Sequence, residues 1–333
     1  MGIRHIKIKI LIFVSLFLAL LTPFILWRIM PKKNLQIVVL NKTFPILSSS
    51  KGKITGLDYS KQSGLFWAMD HLRIKNPDTN KLYNTTKDYY GNFVVDGKLS
   101  NKPLSKLIKV PDVIYISDTY GTGDSKINGK EAKGISGLTK DEVGLIATSA
   151  AKGTTIIGEY NIAKEPTKAS VSNELSDIFG VNFTGWGGKF FTDLSSTHDV
   201  PNWIKTIYES QYGKKWDITG AGIVIAGNNR IIILKQGKDF KGKSINFSMT
   251  SGKGFNLKTI NYYNWFEIVK PKDDKSVIVW YDLNLTADGA KQMKLFGLGE
   301  KFAAIIMNKS SVKKTYYFAG DFCDYRETVK AYS

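Results

Sequence analysis

Three acidic residues in this chain follow apolar, β-rich runs without a break: Asp118 ends VIYIS, Glu159 ends TTIIG and Asp321 ends TYYFAG. A carboxyl group at the end of a buried strand is partly desolvated, which raises its pKa toward the range where it both takes and gives a proton. Three such groups on one sheet edge could act as general acid and base, bind a divalent ion or hold sugar hydroxyls. We take Asp118, Glu159 and Asp321 as the catalytic candidates. The plainer reading stands beside it, since an acid here is equally suited to capping a helix or pairing with Lys. Tyr120, Tyr160 and Asn161 adjoin two of the acids and are candidate ligand-binding residues. Trp186 joins them, bracketed by glycines in FTGWGGKFF. A loop indole offers a flat apolar face to a sugar ring, but an indole is as often packed in a core, and both readings stay open.

Other chemistries are excluded by what the chain lacks. Cys323 is its one cysteine, so neither an intrachain disulfide nor a thiolate metal cluster can form. His71 and His198 have no neighbours at ligand spacing, which disfavours zinc. Gly121-Thr122-Gly123 lacks the third glycine of a dinucleotide fingerprint and no GxxxxGK[ST] occurs, so no metal and no cofactor are expected.

The acids share an edge only if their strands are neighbours and point the same way. Val113 to Ser117 is a predicted strand, followed by a loop with Gly121, Gly123, Gly129, Gly134 and Gly137. Thr139 with Glu142 forms a capping box, and Val143, Ile146, Ala147 and Ala150 make one apolar face of a helix that Gly153 stops. Thr154 to Gly158 is the next buried strand, which completes a βαβ unit with parallel strands. The alternation extends outward. Leu35 to Leu40 reads as a first strand and Gly64 to Ile74 as a helix. Val171 to Phe179 and a stretch opened by Pro201 read as helices, and residues 222–234 as a hairpin about Gly227-Asn228-Asn229-Arg230. Val277 to Trp280, Phe302 to Met307 and Thr315 to Ala319 read as strands, with a helix at Ala287 to Phe296. Residues 75–107 look like a surface excursion, and 235–275 are less regular.

Over residues 112–161 the sequence resembles the class I glutamine amidotransferase-like superfamily, in the branches that are not amidotransferases. The likeness lies in DVIYIS, then GLTKDEVGLIATSAAKG, then TTIIGEYN. It implies a flavodoxin-like α/β sheet with an elbow after the last of these strands. Amidotransferases carry a nucleophilic Cys at that elbow, whereas this chain has Glu159-Tyr160-Asn161, so glutamine hydrolysis by the family mechanism is not expected.

Ahead of all this, Ile10 to Trp27 is an uncharged apolar run of about 18 residues, enough to span a bilayer core. Arg4, Lys7 and Lys9 precede it and Arg28, Lys32 and Lys33 follow. The run ends in Pro23, Phe24, Ile25, Leu26 and Trp27, too bulky for a signal-peptidase site, which favours an uncleaved anchor. The charges are balanced across it, so orientation rests on the habit of a lone N-terminal anchor to send a large following domain outside. The formal charge is +18, and the six basic residues before position 34 leave +12 for the rest. Outside a cell such an excess favours acidic surface polymers and anionic headgroups, with nucleic acid a partner only under the reversed orientation.

The expected architecture is therefore α/β: a membrane anchor over residues 1–33, then an extracytoplasmic domain over 34–333 with a mostly parallel, doubly wound sheet and an antiparallel hairpin or edge. The expected partners are the lipid bilayer, an anionic polymer or polysaccharide and other membrane proteins, with no nucleic acid. The expected role is binding or acting on a cell-envelope carbohydrate or other surface polymer, as a carboxylate-based hydrolase or as a scaffold in an envelope polysaccharide synthesis or export complex. The residues leave open whether the chain is an enzyme.

Overall fold

The computed structural model describes residues 2–49, 51–106, 109–122, 126–127, 130–131, 134–250 and 261–324. Gly123 and Gly129 of the glycine-rich loop, and residues 251–260 of the irregular segment, lie outside them.

Helix α1 is Gly2–Ile29, and its stretch Ile8–Ile29 is long and apolar enough to cross a membrane. The domain beyond it is mixed α/β. Its strands are β1 (Ile37–Asn41), β2 (Tyr90–Val95), β3 (Lys98–Lys102), β4 (Val113–Asp118), β5 (Thr155–Glu159), β6 (Val181–Phe191), β7 (Gly222–Gly227), β8 (Arg230–Lys235), β9 (Ile245–Met249), β10 (Asn261–Tyr262), β11 (Phe266–Pro271), β12 (Val277–Asp282), β13 (Lys301–Lys309) and β14 (Lys314–Phe318). Five more helices are α2 (Ser63–His71), α3 (Lys140–Ala151), α4 (Ala169–Phe179), α5 (Asn202–Tyr212) and α6 (Ala287–Leu295).

Among the described residues, ten strands form one sheet in the order β10-β9-β12-β13-β14-β5-β4-β1-β2-β3. Its centre, β14-β5-β4-β1-β2, is parallel, and every pairing outside that centre is antiparallel. The expected mostly parallel sheet is therefore a parallel core extended by an antiparallel wing. A separate four-stranded antiparallel sheet, β8-β7-β6-β11, was not separated from the first by the sequence pattern.

The central βαβ unit forms as expected. Thr155 to Gly158 of β5 lie in parallel register with Val113 to Ile116 of β4. The capping box is present: Thr139 Oγ1 accepts from Glu142 N at 3.2 Å and Thr139 N donates to Glu142 Oε2 at 2.9 Å. The same carboxylate has a third partner that the sequence did not suggest, the buried Lys42 ammonium at 2.8 Å. Gly158 interrupts the apolar run of β5 because α4 packs there: a Cβ would lie 2.4 Å from Phe179 Cζ. The hairpin β7–β8 turns through Asn228 and Asn229, both at positive φ, as a two-residue primed turn demands.

The stretch 75–107, expected to be a surface excursion, is mostly exposed or half-buried, but it also supplies β2, β3 and a few core residues. Tyr89 is fully buried, stacks on Phe93 at 4.1 Å and meets Phe44 at 5.2 Å, while β2 and β3 complete one side of the large sheet. Its Asn, Asp and Gly are turn residues between short strands, which dilute the periodic signal without making the segment a loop. Strand β1 is buried on both faces. Val38 and Leu40 belong to the core that runs under α3 and α4, and Ile37 and Val39 to a second cluster with Phe66 and Met69 of α2.

Candidate functional site

Strands β4, β5 and β14 are consecutive neighbours with one direction, so their carboxyl ends form one edge. Asp118 is the last residue of β4 and Glu159 the last of β5, while β14 runs on through Ala319 and Gly320 to Asp321. This gathers the three acids into a single electrostatic group.

Within the group their states differ. Asp118 is half-buried, and its Oδ1 accepts from Tyr120 N at 2.9 Å. Burial pushes its pKa up to about 6, with Asp324 adding and the Tyr120 N–H, Thr43 and Lys61 opposing. Asp321 is held further above the usual carboxylate range by burial and by Asp324, against the pull of Lys61. Its backbone N–H is fixed by Trp265 O at 3.1 Å and the Tyr262 hydroxyl at 2.7 Å. Glu159 is fully buried, and its Oε1 accepts from Phe322 N at 2.5 Å and Cys323 N at 2.6 Å. Burial, Asp321 and Asp324 raise its pKa well above the usual value, and Oε2 has no hydrogen-bond partner. A neutral carboxyl group fits this environment, with Oε1 accepting both backbone N–H groups.

Two members were missed in the sequence. Asp324 pairs with Lys61 at 2.7 Å, and burial is the largest cause raising the Asp324 pKa, with Lys61 opposing. On Lys61, burial alone would lower the pKa, but Asp324, Asp321 and Asp118 together raise it. The spacing Asp-Phe-Cys-Asp could have flagged Asp324, since only Phe322 and Cys323 separate the two acids. Lys61 carried no signal, because a single 3-10 turn at Tyr59–Gln62 brings it in from the far side of β1.

The remaining candidates divide. Tyr160 is coupled to the acids, its phenol held high by burial and then by Glu267, Asp321 and Asp118. Asn161 takes a left-handed φ of 70°, and the chain turns just after Glu159. Tyr120 is joined to Asp118 by its backbone only, and its ring is exposed. Trp186 is not a displayed platform. It is buried, packs edge-on to Phe296 at 5.8 Å, and only borders a neighbouring cleft.

That cleft, of 650 Å³, lies between the loop after β5 and the bulged stretch of β6 between Phe183 and Trp186. The three acids do not line it. Among its polar residues Lys164 and Glu267 lie 3.7 Å apart, with the Tyr317 hydroxyl donating to Glu267 Oε2. Lys164 Nζ also lies 5.1 Å over the Tyr160 ring, so Tyr160 stands between cleft and acid cluster. Cys323 is buried and its thiol pKa is pushed far up by burial, Glu159 and Asp324, the opposite of an activated nucleophile. Among the described residues no group of His, Cys, Asp and Glu is placed to hold a metal ion.

No family model matches the chain, and no curated protein matches it. Among solved structures, the chain is similar to a cold-adapted β-galactosidase from Rahnella sp. R3, at 9% identity and a TM-score of 0.35 over 88% of this chain. It is also similar to the carbohydrate deacetylase Agd3, at 9% identity and a TM-score of 0.27 over 87% of this chain. In each case the match spans 30% of the other protein.

Proposed function

We propose that this chain is a membrane-anchored, extracytoplasmic α/β protein that binds or acts on a cell-envelope carbohydrate or other surface polymer through the acid cluster. The observation that carries the reading is that parallel neighbouring strands bring Asp118 and Asp321 to one sheet edge, where burial pushes the Asp118 pKa up to about 6 and holds Asp321 higher. At near-neutral pH one group is a base and the other still holds a proton, the division of labour that carboxylate hydrolysis of a glycosidic bond requires. Lys61 and Asp324 steady the pair, and Tyr160 and Asn161 form its rim on the side of the cleft. Glu159 has a positioning role, holding the strap that carries Asp321. The resemblance to non-amidotransferase members of the class I glutamine amidotransferase-like superfamily belongs to this reading, supported by the parallel β4–α3–β5 unit and the turn at Asn161.

The second reading is a non-catalytic scaffold or accessory subunit of an envelope polysaccharide synthesis or export complex. It is favoured by the Lys61–Asp324 pair, which already occupies part of the cluster, and by the separation of the cleft from the acids. Incubating the full-length protein with purified envelope polysaccharide and assaying both sedimentation with the polymer and new reducing ends tests both. The hydrolase reading expects reducing ends that Asp321→Asn and Asp118→Asn abolish. Binding without cleavage supports the scaffold, and absence of both rejects the carbohydrate reading.

A further inference from the structure

Helix α1 is joined to the domain without slack. Trp27 Nε1 donates to the His71 carbonyl at 2.8 Å, and Arg73 Nη1 donates to the Trp27 carbonyl at 3.2 Å. The Arg73 guanidinium lies 5.1 Å from the centre of the Trp27 ring. Arg73 is itself buried, takes a left-handed φ of 55°, and leaves its Nε without a hydrogen-bond partner. A buried cation in an unfavourable backbone conformation persists only where its contacts over-determine it, and these contacts are with α1. Just past α1, Lys33–Asn34 pairs in parallel with Ile74–Lys75, so the connection is a strand and not a tether.

An indole at the end of a bilayer-spanning helix sits at the headgroup level, and whatever is bonded to it sits there too. The end of α2 carries large apolar side chains turned to solvent at that place. Trp67 is 52% exposed and Leu72 47%, and Trp67 stacks on His71 at 5.0 Å. Arg28, Lys32 and Lys33 are exposed beside them, and Asp70 is the exposed acid on the same helix. Apolar wedges within a basic rim complement an anionic headgroup layer.

We propose that the C-terminal end of α2 is seated in the headgroup layer through Trp67 and Leu72, and that α2 is a strut holding the acid cluster close to the bilayer. At the other end of α2, Gly64 N donates to the Cys323 carbonyl at 2.9 Å, and Lys61 of the preceding turn pairs with Asp324. Nine residues at about 1.5 Å each make a strut of roughly 13 Å. Height above the membrane cannot exceed length whatever the tilt, so with side-chain reach the cluster stays within on the order of 20 Å of the headgroups. Its ligand is then borne at the membrane surface, the lipid-linked end of a polymer and not its outer reaches. The seat rests on α1 being an anchor; this last step rests also on the carbohydrate reading.

The test uses full-length protein in nanodiscs of phosphatidylglycerol and phosphatidylcholine, with a nitroxide at Trp67→Cys, Leu72→Cys, Phe17→Cys or Val312→Cys. Cys323, at 2% exposure, escapes the label. Collision with oxygen, which concentrates in the bilayer, is compared with collision with a water-soluble nickel chelate. We expect positions 67 and 72 to be several-fold more oxygen-selective than 312, with 17 the most bilayer-like. Nickel access at 67 and 72 equal to that at 312, with 17 still shielded, overturns the seat and spares the anchor. Nickel access at 17 overturns both, and neither result touches the polymer assay above.

Discussion

Glu159 Oε1 accepts the Cys323 N–H at 2.6 Å across 164 positions of sequence, and the Phe322 N–H at 2.5 Å beside it. The last side chain of a central parallel strand thus clamps the segment that carries Asp321 and Asp324. A buried and a part-buried amide depend on it, so Glu159→Ala leaves both without an acceptor at a cost on the order of 3 kcal/mol. Glu159→Gln, neutral like the protonated acid and keeping an acceptor oxygen, should cost less than about 1 kcal/mol. Denaturant unfolding with amide exchange read at Phe322 and Cys323 separates the two. Equal stability of both variants would remove the clamp.

The acids of the cluster have a defined pH signature. Asp118 in the folded state titrates at about 6, above its ordinary value of 3.8, and Asp321 is raised further. A folded state that binds protons more tightly is stabilised at low pH, and that stabilisation is lost as pH rises through the folded pKa. Replacing the acid removes the loss. The melting temperature of Asp321→Asn relative to the parent should therefore climb as pH rises from the ordinary carboxylate value of 3.8 up to about 8, and that of Asp118→Asn should climb from 3.8 to about 6 and level off above it. A flat difference across that range would mean that the acids are ordinarily hydrated.

Cys323 should be silent toward thiol reagents. Its side chain is 2% exposed and burial holds its pKa far up, so little thiolate exists and none is reachable. Iodoacetamide should leave the native protein unmodified over hours and alkylate it fully in denaturant, as read by intact mass. Cys323→Ser should leave polymer binding or turnover nearly unchanged, and rapid native alkylation would contradict this account.

The buried pair Lys42–Glu142 should be costly to break from one side. The two side chains are 2% and 8% exposed, and Lys42 Nζ also donates to the Gly137 carbonyl at 2.7 Å. Lys42→Met strands a buried carboxylate and should destabilise by about 3 to 5 kcal/mol. Lys42→Met with Glu142→Gln should recover part of that loss, because no charge is left buried alone. Additive losses in the double variant would show that the pair does not interact.

The sequence by itself determined the local pieces. Hydrophobic period and punctuation located the long apolar helix α1, the β4–α3–β5 unit with its Thr139–Glu142 capping box, α4 with its Gly180 stop, and the Asn228–Asn229 hairpin. Each is fixed by residues within a few positions of one another, and the chemistry of caps and turns is short-range. It also marked Asp118, Glu159 and Asp321, because an acid at the end of an apolar run is visible in one dimension.

Only the tertiary structure decided what those acids do. Glu159, a candidate at the sheet edge from its place after an apolar run, is buried and bonded to Phe322 and Cys323, since the partner amides arrive from the far end of the chain. Lys61 enters the cluster from a turn beyond β1, and Trp186 is drawn into the core against Phe296. The antiparallel wing, the four-stranded sheet and the burial of Tyr89 follow from pairings between distant segments. Burial and charge neighbours set a carboxyl group's state, and both are properties of the folded surroundings that no local spacing encodes.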